Sequence, residues 1–161
     1  MHQAQHKTDF VASLKDEQAA VNAFIELLKK EENALIKVNM EDVDFLASDK
    51  VRMIEVLTNF SKQRCRHLIS QGLPPDSTGM DAWLAKQTSH DDVNAIWTEL
   101  LQLAQTAQQL NNTNGTIIST RLQHTQRAYA ALQSAAGNIS LYGPKGQAFG
   151  IDHGSISPAG V

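Results

Sequence analysis

Cysteine occurs once in the 161 residues, as Cys65, which excludes an internal disulfide framework and fits a reducing compartment. Aromatic residues make up only 6% of the chain, too few for an aromatic-rich β core, while Ala, Leu, Gln and Asn abound. No apolar run approaches the roughly 18 residues needed to cross a bilayer. The opening Met1-His2-Gln3-Ala4-Gln5-His6 is polar and no apolar stretch follows it, so no secretory signal is expected. Neither sign of charge dominates: the net charge is −3 with acids and bases interspersed, and no basic face invites nucleic acid. The chemistry-bearing patterns are missing too. There is no P-loop, dinucleotide-binding glycine pattern, G-x-S-x-G or paired-carboxylate constellation, so the chain is not expected to be an enzyme or to carry a cofactor. The six histidines are scattered and no thiol or carboxylate cluster has ligand spacing, so no metal site is expected. Function must therefore reside in surfaces, and the expected setting is the cytoplasm.

Helix breakers are concentrated rather than absent. Between Asp91 and Ala136 there is no proline and one glycine, Gly115, inside Asn111-Asn112-Thr113-Asn114-Gly115. Asn-Gly alone signals a hairpin turn. Here, however, small or apolar residues recur at Val93, Trp97, Leu100, Ala104 and Ala107, and the spacing resumes in phase at Ile118, Ala128, Leu132 and Ala135. A turn would not preserve helical phase, so one helix of roughly 45 residues, about 70 Å long, is expected. Its polar waist weakens it locally, since Gly costs roughly 1 kcal/mol against Ala. Two readings of the waist stay open. One is a buried polar layer that fixes register; the other is a docking surface where small residues admit another backbone and Asn111 and Asn114 bond to it.

Upstream, Asp9 to Val38 carries a stripe at Val11, Leu14, Val21, Ile25, Leu28 and Leu35, interrupted by Gln18 and Glu32 and widened by Phe10, Phe24 and Leu27, with Thr8 or Asp9 as cap. Asn39, with Asp42 three residues on, predicts a second helix from about Met40 to Gln71, ended by Gly72. Its apolar positions are Val43, Leu46, Met53, Leu57, Phe60, Leu68 and Ile69; Lys50 falls on the seam, its ammonium expected to reach outward. Leu73 to Gly79 reads as a loop. Met80 to Gln87 reads as a short helix whose Trp83 plugs one end of the bundle near Trp97. Ser89-His90-Asp91-Asp92 then caps the long helix. A hairpin about 45 Å tall leaves the last four to five turns of the long helix short of neighbours, with Leu122, Tyr129, Leu132 and Ile139 bare.

After Gly137 the composition changes: six of the nine glycines lie in the last 25 residues, which predicts a flexible tail. The expectation is thus an all-α protein, an elongated antiparallel bundle. It comprises a long helical hairpin, a short extra helix and one very long C-terminal helix over residues 1–137, then a flexible tail over 138–161.

Three features together resemble the FlgN family of flagellar export chaperones. They are Asn111-x-x-Asn114-Gly115 followed by Ile117-Ile118 and Arg121-Leu122; Leu141-Tyr142-Gly143-Pro144-x-Gly146; and the hairpin alternation around Leu35, Leu46, Lys50, Leu57 and Arg64. The resemblance implies a cytoplasmic chaperone that covers the amphipathic C-terminal helix of flagellar hook-filament junction (hook-associated) proteins. It would prevent their premature association and deliver them to the flagellar type III export apparatus, without membrane insertion. The expected client-binding residues are Asn111, Asn114 and Gly115 with Ile117, Ile118, Leu122, Tyr129 and Leu132 on the unsupported part of the long helix, and the segment that would engage the export apparatus is Leu141, Tyr142 and Gly143. The residues leave open a self-associating coiled-coil subunit or a regulatory adaptor.

Overall fold

The computed structural model describes residues 1–87, 90–138, 141–142 and 148–149; of these, residues 2, 3, 90, 91, 137, 138, 141, 142, 148 and 149 are described by their backbone only. Among the described residues there are four helices, α1 (His2–Ile36), α2 (Met40–Ser70), α3 (Ser77–Ala85) and α4 (His90–Asn138). A pair of two-residue strands follows, β1 (Leu141–Tyr142) and β2 (Ala148–Phe149), antiparallel with Leu141 opposite Phe149. The protein is all-α, and the helix through Asn111–Gly115 is unbroken. The chain divides into two compact units, Met1–Ile117 and Ile118–Val161. The expected flexible tail, apart from Asn138 and the four strand residues, lies outside the described residues, as do Ser89 of the predicted cap and Gly143.

Helix α1 starts well before the predicted cap. Thr8 does not accept from a first-turn N–H; its hydroxyl donates to the Ala4 carbonyl, one turn back inside the helix. The end of α1 is a tight reversal. The N–H of Asn39 donates to the Ala34 carbonyl and that of Val38 to Leu35, with Val38 at φ 58°. This is the Schellman arrangement, which satisfies orphan carbonyls at a helix end and ordinarily places glycine at the left-handed position. The same pair of bonds ends α2: Leu73 donates to Leu68 and Gly72 to Ile69, with Gly72 at φ 71°. Asn39 caps α2 as expected, accepting from the Asp42 N–H while its amide donates to the Asp42 carboxylate.

The core of the first unit is built on a 3-4 repeat in α1, and Leu14, Val21, Ile25, Leu28 and Leu35 of the predicted stripe are buried in it, as are Phe10, Phe24 and Leu27. Phe10, Leu14, Glu17, Val21, Phe24, Leu28, Glu31 and Leu35 stand at 4-3 intervals and are buried, with Ile25, Leu27 and Ala34 buried beside them. Val11 only packs against the edge of this core. Two acids thus occupy core positions where Gln18 and Glu32 were expected to interrupt. Each meets a base from α2. The Arg64 guanidinium donates to Glu17 and Lys50 Nζ lies 2.9 Å from Glu31 Oε1. Lys50 therefore turns inward rather than reaching out to water. Glu17 to Glu31 and Lys50 to Arg64 are both steps of two heptads, about 21 Å at 1.5 Å per residue. The pairs lock the antiparallel register, because a slip in either direction would strand a buried charge.

Helix α3 closes one end. Asp76 caps it, accepting from the Gly79 N–H at 3.0 Å, and Met80, Trp83 and Leu84 are buried. Phe10 stacks on His67, ring centroids 3.8 Å apart, and the Trp83 ring meets Phe10 edge-on at 4.8 Å. Trp83 is the predicted end plug, and its ring partners are Phe10 and His67. Ile69 of the predicted α2 face is exposed, as is Ala104 of the α4 seam.

Candidate functional site

The waist of α4 resolves by position. Asn114 is 0% exposed, and its amide donates to the Leu28 carbonyl at 2.9 Å and to Glu31 Oε1 at 2.8 Å. Glu31, itself 3% exposed, thus takes one bond from α2 and one from α4. The geometry at Asn114 is that of a register-fixing polar layer joining three helices, not of a group turned toward a partner. Its amide NH2 is occupied inside the bundle, while its Oδ1 is buried without a hydrogen-bond partner. Two heptads back along α1, Glu17, Arg64 and Trp97 join the same three helices, with the guanidinium carbon 5.3 Å from the Trp97 ring centroid. The rest of the waist is outward: Asn111 and Gly115 are exposed, and nothing lies within 4 Å of where a Cβ on Gly115 would stand. Among the described residues no backbone uses the close approach that a glycine there permits.

In the second unit, Ile118, Leu122, Tyr129 and Leu132 follow one another along α4 at intervals of four, seven and three residues, which places them on one face of the helix. That face is open to solvent. Ile118 is 44% exposed, Leu122 56%, Tyr129 63% and Leu132 69%, while Ile117 is half-buried. Four large apolar side chains on one face of one helix form an apolar stripe of the kind that marks an interaction site. Leu141 and Tyr142, the other predicted site residues within reach, have backbone paired in β1 against β2.

Sequence reasoning missed the two buried acids and their basic partners as pairs. The signal was present: Glu17 and Glu31 stand at the same heptad position, as do Lys50 and Arg64 in α2. Among the described residues no three His, Cys, Asp or Glu side chains gather as a metal site, and no helix is long and apolar enough to cross a membrane.

A comparison with protein families matches residues 1–149 to the family model described as FlgN protein. The chain belongs to the FlgN family. No curated protein and no solved structure matches it. FlgN proteins are chaperones of flagellar protein export, not a family of enzymes, and they bind flagellar proteins.

Proposed function

We propose that this FlgN protein acts in the cytoplasm, binding the amphipathic C-terminal helix of flagellar hook-associated proteins, the hook-filament junction components. It keeps them from associating early and hands them to the flagellar type III export apparatus. The observation that carries the reading is the exposed stripe of α4 through Ile118, Leu122, Tyr129 and Leu132. A helix laid into an apolar strip is recognised through anchors at i, i+3, i+4 and i+7, the spacing these residues offer. Asn111, Gly115 and Ile117 precede them on the same helix and extend the contact. Asn114 contributes indirectly, by holding α4 in register on α1. The segment Leu141-Tyr142-Gly143 is the part that engages the export apparatus.

The deciding experiment replaces Leu122, Tyr129 and Leu132 together by Ala. Client binding, measured by calorimetry with a hook-associated protein, should be lost while far-UV helicity persists. Undiminished affinity overturns the placement. Tyr142→Ala should leave client binding whole and slow secretion; equal secretion removes that role. The same stripe would also serve self-association. Sedimentation of the pure protein separates the two, since a chaperone stays small alone and gains mass only when client is added.

A further inference from the structure

Helix α2 gives little of its surface to the fold. Leu68 is the one buried residue of this 31-residue helix, and Leu46, Met53 and Leu57 pack against the core along one face. A second face carries Met40, Ala47, Val51, Ile54, Thr58 and Cys65 at heptad-compatible intervals, a row about 38 Å long at 1.5 Å per residue. All of these except Cys65 are exposed. Apolar and small residues in a heptad row open to water are what one helix offers to another. The charges beside the row decide which helix fits. Asp49, Lys50, Arg52 and Arg64 of α2 are used in ion pairs within the chain. Glu41 and Asp44 near the start of α2, and Lys62 and Arg66 near its end, are exposed and form no ion pair among the described residues. The free charges of α2 are thus acidic at one end and basic at the other, with Glu55 near the middle departing from the division.

An antiparallel second copy of α2 satisfies the apolar row and the charges in one register. Setting Val51 against Ile54 of the second copy sets Ala47 against Thr58 and Met40 against Cys65, and two-fold symmetry repeats each pairing. The same register carries Glu41 and Asp44 to Lys62 and Arg66 of the second copy, whereas a parallel pair would set acid on acid and base on base. Beside Cys65 an open pocket of about 260 Å³ lies between α2 and α4, walled by Leu68, Trp97 and Leu101. The unbranched Met40 side chain of the second copy is the one this register brings to it. We infer that the chain forms a two-fold dimer through antiparallel α2 helices. This interface is separate from the α4 stripe and does not depend on what that stripe binds. A pair of 17.7 kDa chains is still a small species, to which client adds mass.

Sedimentation equilibrium of the full chain up to about 300 μM should show a reversible dimer, as expected of an interface one helix wide. Ile54→Glu places a carboxylate of each copy at the two-fold axis. It should weaken association at least about tenfold while far-UV helicity holds, the position being 45% exposed in the single chain. Lys62→Glu with Arg66→Glu should weaken it about fivefold, and adding Glu41→Lys with Asp44→Lys to the same chain should restore it, because reversing both ends recovers the antiparallel attraction. These four positions are exposed, so the charge series reads the interface even if Ile54→Glu fails to fold. A monomer at every concentration overturns the inference, as does a dimer that Ile54→Glu or the charge reversal leaves undiminished. The chain with Leu122, Tyr129 and Leu132 replaced by Ala should dimerise like the native one; if it is monomeric instead, the association belongs to α4 and the α2 interface falls.

Discussion

Replacing Lys50 by Met tests whether the layer at Glu31 fixes the bundle. The thioether keeps most of the lysine stem and removes only the ammonium. The Glu31 carboxylate, 3% exposed, is then left with the Asn114 amide as its remaining bond at 2.8 Å. Breaking a buried ion pair from one side costs about 3–5 kcal/mol, because the surviving charge stays desolvated. The Lys50 side chain is 20% exposed, so water reaches the gap and the lower end, roughly 3 kcal/mol, is expected. For a chain of this size that lowers Tm by about 6–12 °C. Lys29→Met is the control: its pair with Glu26 is 2.8 Å long but both side chains are more than half exposed, and about 0.5 kcal/mol or less should be lost. Glu31→Gln keeps an acceptor for Asn114 and removes the charge. Combined with Lys50→Met it should therefore recover at least half of the loss, a coupling well above the roughly 0.5 kcal/mol seen between independent sites. Urea denaturation of the four variants gives the cycle. Equal losses for Lys50→Met and Lys29→Met, or strict additivity with Glu31→Gln, would refute the layer as the source of register.

Three further outcomes follow from local geometry. Gly79→Ala should destabilise the α3 end by about 2 kcal/mol or more, seen as a lower urea midpoint, because a Cβ there would sit 1.7 Å from the Pro74 carbonyl oxygen and backbone must move. Val38→Gly should raise stability by about 1 kcal/mol in the same assay, since a β-branched residue at φ 58° pays a left-handed cost of roughly 1–2 kcal/mol that glycine escapes, less its greater unfolded-state entropy. His67 gives a pH dependence with a definite sign. Its folded pKa lies below the unfolded value of 6.5, so the unfolded chain binds the proton more readily and stability falls as pH drops from above 6.5 through the folded pKa. His67→Gln should flatten that limb of a Tm-against-pH curve.

How much of this was legible in the sequence depended on whether the deciding interaction was local. Asn39 with Asp42, Gly72 at the end of α2 and the unbroken phase across Gly115 are read from residues a few positions apart, and the structure has them where the sequence put them. The apolar part of the α1 stripe was read correctly at Leu14, Val21, Ile25, Leu28 and Leu35, but its two buried acids were missed for a physical reason. A seam is inferred from apolar residues alone, so Glu17 and Glu31 look like solvent-facing positions. What makes an acid a core residue is a base on another helix, and Lys50, Arg64 and Asn114 are 19, 47 and 83 positions from their partners. Single-chain periodicity carries no information about such pairs until the antiparallel register is supposed. Once it is, the heptad spacing of two acids on α1 against the equal spacing of two bases on α2 becomes a pattern that could have been sought.

The same logic bears on the stripe of α4. Asn114 and Ile118 are one turn apart on one face, yet the first is sealed and the second is 44% exposed. Periodicity treats them alike, as it treats Leu100 and Leu132. The difference between core and interaction surface is set by what lies opposite, which the sequence of α4 alone does not contain. It follows that polar and apolar substitutions should divide by position along one face. At Leu100 a change to Ser removes a buried contact and should lower stability with client affinity following only through unfolding. At Leu132 the same change removes exposed apolar area, so Tm should hold within about 0.5 kcal/mol equivalent while client affinity falls. A Leu132→Ser protein that melts as early as Leu100→Ser would place the stripe in the fold rather than in recognition.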